Sequence, residues 1–82
     1  QTDLLVLDPP RSGCHPKMVQ KVNERGPSQL IYISCNPQAF LREWSTLQQN
    51  YRLVKAQAFD FFPQTRHLEL LAYLVRRDEH GL

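Results

Sequence analysis

The stretch that decides the fold of this chain is Ile31-Tyr32-Ile33-Ser34-Cys35-Asn36-Pro37. It belongs to a continuous apolar run, Leu30 to Ile33, of the length and type expected for a parallel strand covered on both faces. Asn36 is a favoured N-cap residue, and Pro37 suits the first position of a helix. The stretch therefore predicts a buried strand that runs directly into a helix, with Cys35 at the junction.

A cysteine at such a junction has two interpretations. Cys35 is predicted to follow the carboxyl end of a strand and to face the positive end of a helix dipole. Open α/β sheets bind their ligands at this place, and a thiolate is favoured there, so Cys35 is a candidate nucleophile. Free cysteine is also among the most buried residue types, so the local pattern equally fits a small core side chain.

Length and composition limit the possible classes of protein. The chain has 82 residues, a hydrophobic fraction of 41%, a charged fraction of 22% and a net charge of +2. The length and composition fit one small globular domain. The net charge is too small to indicate by itself that the protein binds nucleic acid. Two cysteines make no disulfide framework, and no apolar run could span a membrane, so we expect an intracellular, reducing setting.

A second buried strand is predicted over Leu4 to Leu7, and it ends at the motif Asp8-Pro9-Pro10-Arg11-Ser12-Gly13. The two prolines end strand pairing and make a stiff turn. Taken alone, Asp8 is a turn-forming residue. However, Asp8 and Cys35 follow consecutive predicted strands at equivalent places. If the two strands are parallel neighbours, both side chains reach the same crevice.

The other elements complete an α/β pattern. One helix is predicted from Pro16 to a stop at Gly26-Pro27, and a second from Pro37 to about Gln49. A short loop, 62–66, separates two further predicted strands, which therefore form an antiparallel hairpin. The predicted inward faces are Met18, Val19 and Val22 on the first helix, and Phe40, Leu41, Trp44 and Leu47 on the second. The predicted hairpin strands are Tyr51 to Phe61 and His67 to Val75.

The order strand, helix, strand, helix, strand, strand is half of a doubly wound, Rossmann-like sheet. By fold analogy, an ending in which the last strand inserts antiparallel is typical of class I methyltransferases. The chain has only three glycines and no glycine-rich strand-to-helix turn. We therefore interpret it as the carboxyl-terminal half of such a sheet, with most of the cofactor site expected upstream.

Three motifs together resemble one family. They are Asp8-Pro9-Pro10-Arg11-Ser12-Gly13, Ser34-Cys35-Asn36-Pro37 and Phe62-Pro63-Gln64-Thr65-Arg66-His67-Leu68-Glu69. In this order they closely resemble the carboxyl-terminal part of the RNA 5-methyluridine (uracil-C5) methyltransferases, which use S-adenosylmethionine to methylate uridine in transfer or ribosomal RNA. The resemblance implies that residues 1–77 are the carboxyl-terminal portion of a catalytic domain, followed by a charged tail, 78–82. Ala39 stands where the family pattern has threonine.

The resemblance implies a role for three residues. Cys35 is the nucleophile, Glu69 is the general base, and Asp8 contacts the methyl donor near the target base. Uracil C5 is a poor nucleophile until a thiolate adds to C6, and a base must then remove the C5 proton. The implied partner is RNA, with transfer RNA the expected substrate, and the fragment alone is expected to be inactive. No metal site is expected.

Several alternatives stay open or fit less well. The chain could be a non-catalytic fragment or interaction module, or part of an RNA cytosine-C5 methyltransferase, although that family lacks the Asn-Pro pair after the cysteine. Arg11 replaces the aromatic residue of the amino-group methyltransferases. His67 could pair with Cys35 in a hydrolase, but the sequence offers no obvious oxyanion hole. Paired zinc-ligand spacing is also missing. The exposed edge of the strand Leu4 to Leu7 predicts self-association.

Overall fold

The structure is a computed structural model that describes residues 3–62 and 67–77. The described residues form an α/β unit in the predicted order. Of the predicted loop 62–66, Phe62 is instead the last residue of β3, and residues 63–66 lie outside the described residues, as does the predicted tail 78–82. The elements are β1 (Leu4–Leu7), α1 (Pro16–Arg25), β2 (Gln29–Ser34), α2 (Pro37–Leu47), β3 (Tyr51–Phe62) and β4 (His67–Arg76).

The four strands form one mixed sheet in the order β1-β2-β4-β3. β1 and β2 are parallel, whereas β4 is antiparallel to both of its neighbours. The last strand therefore inserts between β2 and β3, and the prediction of an antiparallel final strand is confirmed. Because β4 occupies the interior position, β1 and β3 are the two edges of the sheet.

The core lies between one face of the sheet and the two helices. Leu30 and Tyr32 of β2 are fully buried, and they alternate with the half-buried Ile31 and Ile33. The helices pack against each other, and α2 also packs on β2 and β4. This arrangement covers one face of the sheet and leaves the other face of β1 open. The buried apolar residues of the helices are Val19, Val22, Ala39, Phe40 and Leu47.

The predicted inward faces of the helices were partly wrong. Met18 and Leu41 are 42% and 62% exposed, respectively. On α2 the buried stripe passes through Phe40, Glu43 and Leu47, which recur at three- and four-residue spacing. Leu41 lies one helical step, about 100°, away from Phe40 and therefore faces solvent. α2 ends at Leu47 rather than near residue 49.

Candidate active site

Cys35 lies between the end of β2 at Ser34 and the start of α2 at Pro37, so the predicted junction is confirmed. The Ser34 hydroxyl donates to the carbonyl oxygen of Asn36 at 2.8 Å and accepts from the Asn36 N–H at 3.0 Å. These two bonds close a tight turn around Cys35, whose side chain is half-buried. Asn36 takes the N-cap position of α2, but its side chain makes no capping bond. It donates instead to the carbonyl oxygen of Arg11 at 3.0 Å.

Glu69 lies on the strand next to Cys35. The antiparallel pairing of β2 with β4 ends at Ser34 opposite Leu70. Cys35 is the residue after Ser34, and Glu69 is the residue before Leu70, so the two candidates lie immediately beyond the last paired positions of β2 and β4. Glu69 itself pairs with Phe59 of β3, which fixes its place in the sheet.

Glu69 belongs to the face of β4 that points away from the helices. Ala72 and Leu74 are fully buried under the helices, while Leu71 and Tyr73 alternate with them and are half-buried. Glu69 shares the alternation of this second row and is also half-buried. The candidate base therefore begins an otherwise apolar row on this face of the sheet.

Asp8 lies at the same end of the sheet, where the parallel strands β1 and β2 have their carboxyl ends. The parallel pairing of β1 with β2 ends at Leu7 opposite Tyr32, so Asp8 follows β1 where Cys35 follows β2. Asp8 is exposed, in contrast to the half-buried Cys35 and Glu69. The structure therefore brings all three candidate residues to one end of the sheet. Asp8 is exposed there, whereas Cys35 and Glu69 adjoin the last pair of β2 with β4 and are half-buried.

The loop between β1 and α1 is held by α2 and its N-cap. Besides the bond from Asn36 to Arg11, the Arg42 Nη2 group donates to the carbonyl oxygen of Ser12 at 2.8 Å. The Cys14 N–H donates to Glu43 Oε2, also at 2.8 Å. The element that follows the candidate nucleophile thus also fixes the loop that follows Asp8.

Glu43 is a buried carboxylate that the sequence analysis missed. It is 5% exposed, and its Oε1 accepts a 2.6 Å hydrogen bond from the Tyr32 hydroxyl. Burial, and next the proximity of the Glu43 carboxylate, raise the pKa of the Cys14 thiol to about 11. Cys14 is therefore protonated at neutral pH and does not compete as a nucleophile. The available signal was the position of Glu43 on the helical stripe that begins at Phe40.

A cavity of about 1150 Å³ opens between the β1–α1 loop, α1 and α2. Asp8 and Glu43 belong to its lining, but Cys35 and Glu69 do not. The cavity is therefore not the place where the candidate nucleophile and base meet. Within the described residues, no group of three or more His, Cys, Asp or Glu side chains could hold a metal ion. Neither helix in residues 3–62 and 67–77 is long and apolar enough to cross a bilayer.

Comparison with known proteins identifies the family. The family model for tRNA (uracil-5-)-methyltransferase matches residues 1–77. A tRNA (uracil(54)-C(5))-methyltransferase from Pyrococcus horikoshii is 44% identical over 73 residues, which are 89% of this chain and 17% of that protein. An uncharacterized RNA methyltransferase from Thermotoga maritima is 38% identical over 79 residues, which are 95% of this chain and 18% of that protein.

A solved structure agrees with these sequence comparisons. The tRNA (uracil-54, C5)-methyltransferase of Pyrococcus abyssi, in complex with S-adenosyl-L-homocysteine, superposes with a TM-score of 0.79 at 44% identity. The alignment covers 89% of this chain and 18% of that one. The chain spans less than a fifth of the length of the relatives named here. On the family match and these relatives, the chain belongs to the tRNA (uracil-5-)-methyltransferase family.

Proposed function

We propose that this chain supplies the nucleophile and the general base of an S-adenosylmethionine-dependent methyltransferase that modifies uridine C5 in transfer RNA. The observation that supports the proposal is the pairing of β2 with β4, which ends at Ser34 and Leu70, the residues that adjoin Cys35 and Glu69 along the chain. The family and the activities named for its relatives support the same reaction. In this proposal residues 1–77 are the carboxyl-terminal portion of the catalytic domain, and the protein acts inside the cell, where transfer RNA is modified.

Cys35 acts first. Its thiolate sulfur bonds to C6 of the uracil ring, and the C5–C6 π electrons move onto the C4 carbonyl oxygen as an enolate. This addition makes C5 nucleophilic. The position of Cys35 suits the step, because it follows a strand end, where open α/β sheets bind their ligands, and directly precedes α2. The two hydrogen bonds between the Ser34 hydroxyl and the Asn36 backbone hold the chain around Cys35.

Glu69 acts after C5 has been methylated. Its carboxylate takes the proton from C5, the C5–C6 double bond re-forms, and the bond between the Cys35 sulfur and C6 breaks. The released thiolate is ready for another cycle. The acid-base step needs a carboxylate within reach of the uracil ring that Cys35 holds, and the place of Glu69 just before Leu70, the β4 partner of Ser34, supports this role.

Asp8 fits a contact to the methyl donor. S-adenosylmethionine, when bound, supplies an electrophilic methyl group on a cationic sulfur. An exposed carboxylate at the carboxyl end of β1 suits a positively charged ligand, and this is the edge where open α/β sheets bind their ligands. The chain spans less than a fifth of its relatives' length, and the proposal assigns the other contacts to the donor to the rest of the protein. The 82-residue chain alone is therefore proposed to be inactive.

The test separates the roles of the two residues in the full-length protein. Cys35→Ala, Glu69→Gln and the wild type are incubated with labelled transfer RNA and S-adenosylmethionine, and the products are run on a denaturing gel. Cys35→Ala should give neither methylated RNA nor a covalent adduct. Glu69→Gln should accumulate protein linked to methylated RNA, because the C5 proton stays and elimination stalls. Cys14→Ala and Glu24→Gln are matched controls that should behave as the wild type.

Three results would contradict this proposal. A Glu69→Gln variant that releases fully methylated RNA at the wild-type rate shows that Glu69 is not the base. Methylation of cytosine instead of uridine favours the cytosine-C5 alternative. The non-catalytic alternative predicts no adduct in any variant of the full-length protein.

A further inference from the structure

We propose that Glu43 is a positioning residue for the reaction, because its buried carboxylate fixes the β1–α1 loop that follows Asp8 against the strand that leads to Cys35. This inference rests on the proposed function and adds a residue that never touches the substrate. Glu43 lies in the middle of α2, with its two carboxylate oxygens in separate hydrogen bonds to different elements.

The first step of the argument is the cost of burying Glu43. The side chain is 5% exposed, and its partners are the Tyr32 hydroxyl and the Cys14 backbone N–H. Removing a carboxylate from water is unfavourable, and a well-packed apolar side chain at such a site is often at least as stable. Helix packing alone therefore does not require a carboxylate at this position. The hydrogen bonds to its two oxygens link β2 to the loop, and an apolar side chain could not make this link.

The second step is the fit between the loop and Glu43. Gly13 is buried and has φ of +92°, a conformation that favours glycine. A Cβ atom at Gly13 would collide with Oε2 of Glu43. The turn is closed by a 2.8 Å bond from the Gly13 N–H to the Pro10 carbonyl oxygen. The loop therefore bends so that it accommodates the carboxylate, and the next N–H, that of Cys14, points at it.

The third step is the direction of the link. Tyr32 lies on β2 three residues before Cys35, and it is also the β2 partner of the last β1 residue, Leu7. Glu43 thus joins the strand that leads to the nucleophile with the loop that follows Asp8. Cys35 and Glu69 adjoin the last pair of β2 with β4, Ser34 and Leu70, and that strand pairing does not involve this link. Loss of the link should displace Asp8 and leave the nucleophile and base together.

The test is a double-mutant cycle in the full-length protein, with single-turnover methylation of transfer RNA as the readout. The amide of Glu43→Gln keeps the size of the side chain but can accept through one oxygen only. We expect a rate about 10- to 100-fold below that of the wild type, the scale of a misplaced reacting group. If Glu43 acts through Asp8, Asp8→Asn with Glu43→Gln should be no more than about threefold slower than Asp8→Asn alone.

A matched pair of tyrosines distinguishes positioning from general stability. Tyr32 and Tyr51 are both fully buried, and each hydroxyl donates a 2.6 Å hydrogen bond, from Tyr32 to Glu43 and from Tyr51 to the Pro27 carbonyl oxygen. Tyr32→Phe should slow methylation and be non-additive with Asp8→Asn. Tyr51→Phe should lower the melting temperature by a similar amount and leave the rate unchanged. If Glu43→Gln fails to fold, the Tyr32→Phe cycle gives the decision.

Wild-type rates in Glu43→Gln, or losses that multiply fully with those of Asp8→Asn, would overturn the inference. Equal slowing by Tyr32→Phe and Tyr51→Phe would do the same, since it indicates a purely structural effect. These results differ from a failure of the proposed function. In that case the wild-type protein itself forms no adduct and methylates no RNA.

Discussion

Ser34 and Asn36 enclose Cys35 by bonding to each other: a single buried hydroxyl contacts both the N–H and the carbonyl oxygen of Asn36. A backbone turn of this kind fixes the direction in which the chain leaves β2 and enters α2. Cys35 belongs to neither β2 nor α2, and this turn gives it a defined position at the carboxyl end of β2.

Replacing Ser34 by alanine tests the role of these two hydrogen bonds. The change removes both bonds and leaves a part-buried Asn36 N–H without its partner, which costs about 1–3 kcal/mol of unfolding free energy. Adduct formation by Cys35 should slow as well, because its backbone is no longer fixed. Urea unfolding and the rate of adduct formation in the full-length protein measure the two effects. Ser45→Ala is the control, since its hydroxyl bonds only the exposed carbonyl of Arg42. An unchanged rate of adduct formation in Ser34→Ala would show that the reaction of Cys35 does not need these two hydrogen bonds.

The two cysteines should differ in how alkylation depends on pH. The pKa of Cys14 is raised to about 11, first by burial and then by the Glu43 carboxylate. Only the thiolate reacts, so labelling of Cys14 by iodoacetamide should rise about tenfold per pH unit from pH 7 to 10. Mass spectrometry of the Cys35→Ala chain isolates the Cys14 signal. Adding Glu43→Gln should lower the pKa and speed labelling at pH 8. A plateau below pH 10 in the Cys35→Ala chain would contradict the assigned environment.

Asp3, which directly precedes β1, should make the free energy of unfolding depend on pH in the acidic range. Hydrogen bonds from the Ser28 N–H and hydroxyl to the Asp3 carboxylate lower the pKa of Asp3 below its ordinary value of 3.8. Because the folded pKa is the lower one, the stabilisation is present above pH 3.8 and is lost as pH falls through the folded value. The difference in unfolding free energy between wild type and Asp3→Asn should thus be constant above pH 5 and shrink towards pH 2.5. A constant difference over the whole range would contradict the link.

Sequence reasoning reached those features that depend on local patterns and strand order. The apolar runs, the prolines and the short hairpin loop predicted every element, and the placement of Asp8 and Cys35 at one edge followed from parallel pairing. The pairing of Ser34 with Leu70, which brings Cys35 and Glu69 to the same end of the sheet, depends on the offset between β4 and β2. Strand composition does not set this offset to the residue, although side-chain alternation restricts it to steps of two.

Long-range hydrogen bonds were beyond the reach of the sequence. A glutamate on a helix is normally interpreted as solvent-exposed, so Glu43 was missed, because its partners lie 11 and 29 residues away. Asn36 was correctly predicted at the N-cap position, but its side chain serves the β1–α1 loop instead of the helix. In both cases the three-dimensional contact decided between roles that the residue type leaves open.

The last prediction concerns the open edge of β1. Among residues 3–62 and 67–77 this strand is paired on one side only, and Leu4 and Val6 are each 53% exposed. An apolar edge strand with free N–H and C=O groups pairs readily with another chain. We therefore expect the isolated 82-residue chain to self-associate, with a sedimentation coefficient that rises with concentration. Val6→Lys should reduce this association by placing a charge on the edge. Leu41→Lys is the matched control, because Leu41 is 62% exposed but lies on α2. If both lysine variants and the wild type sediment as monomers at high concentration, the edge does not drive association. If Leu41→Lys is the variant that dissociates the complex, the contact surface is α2 and not β1.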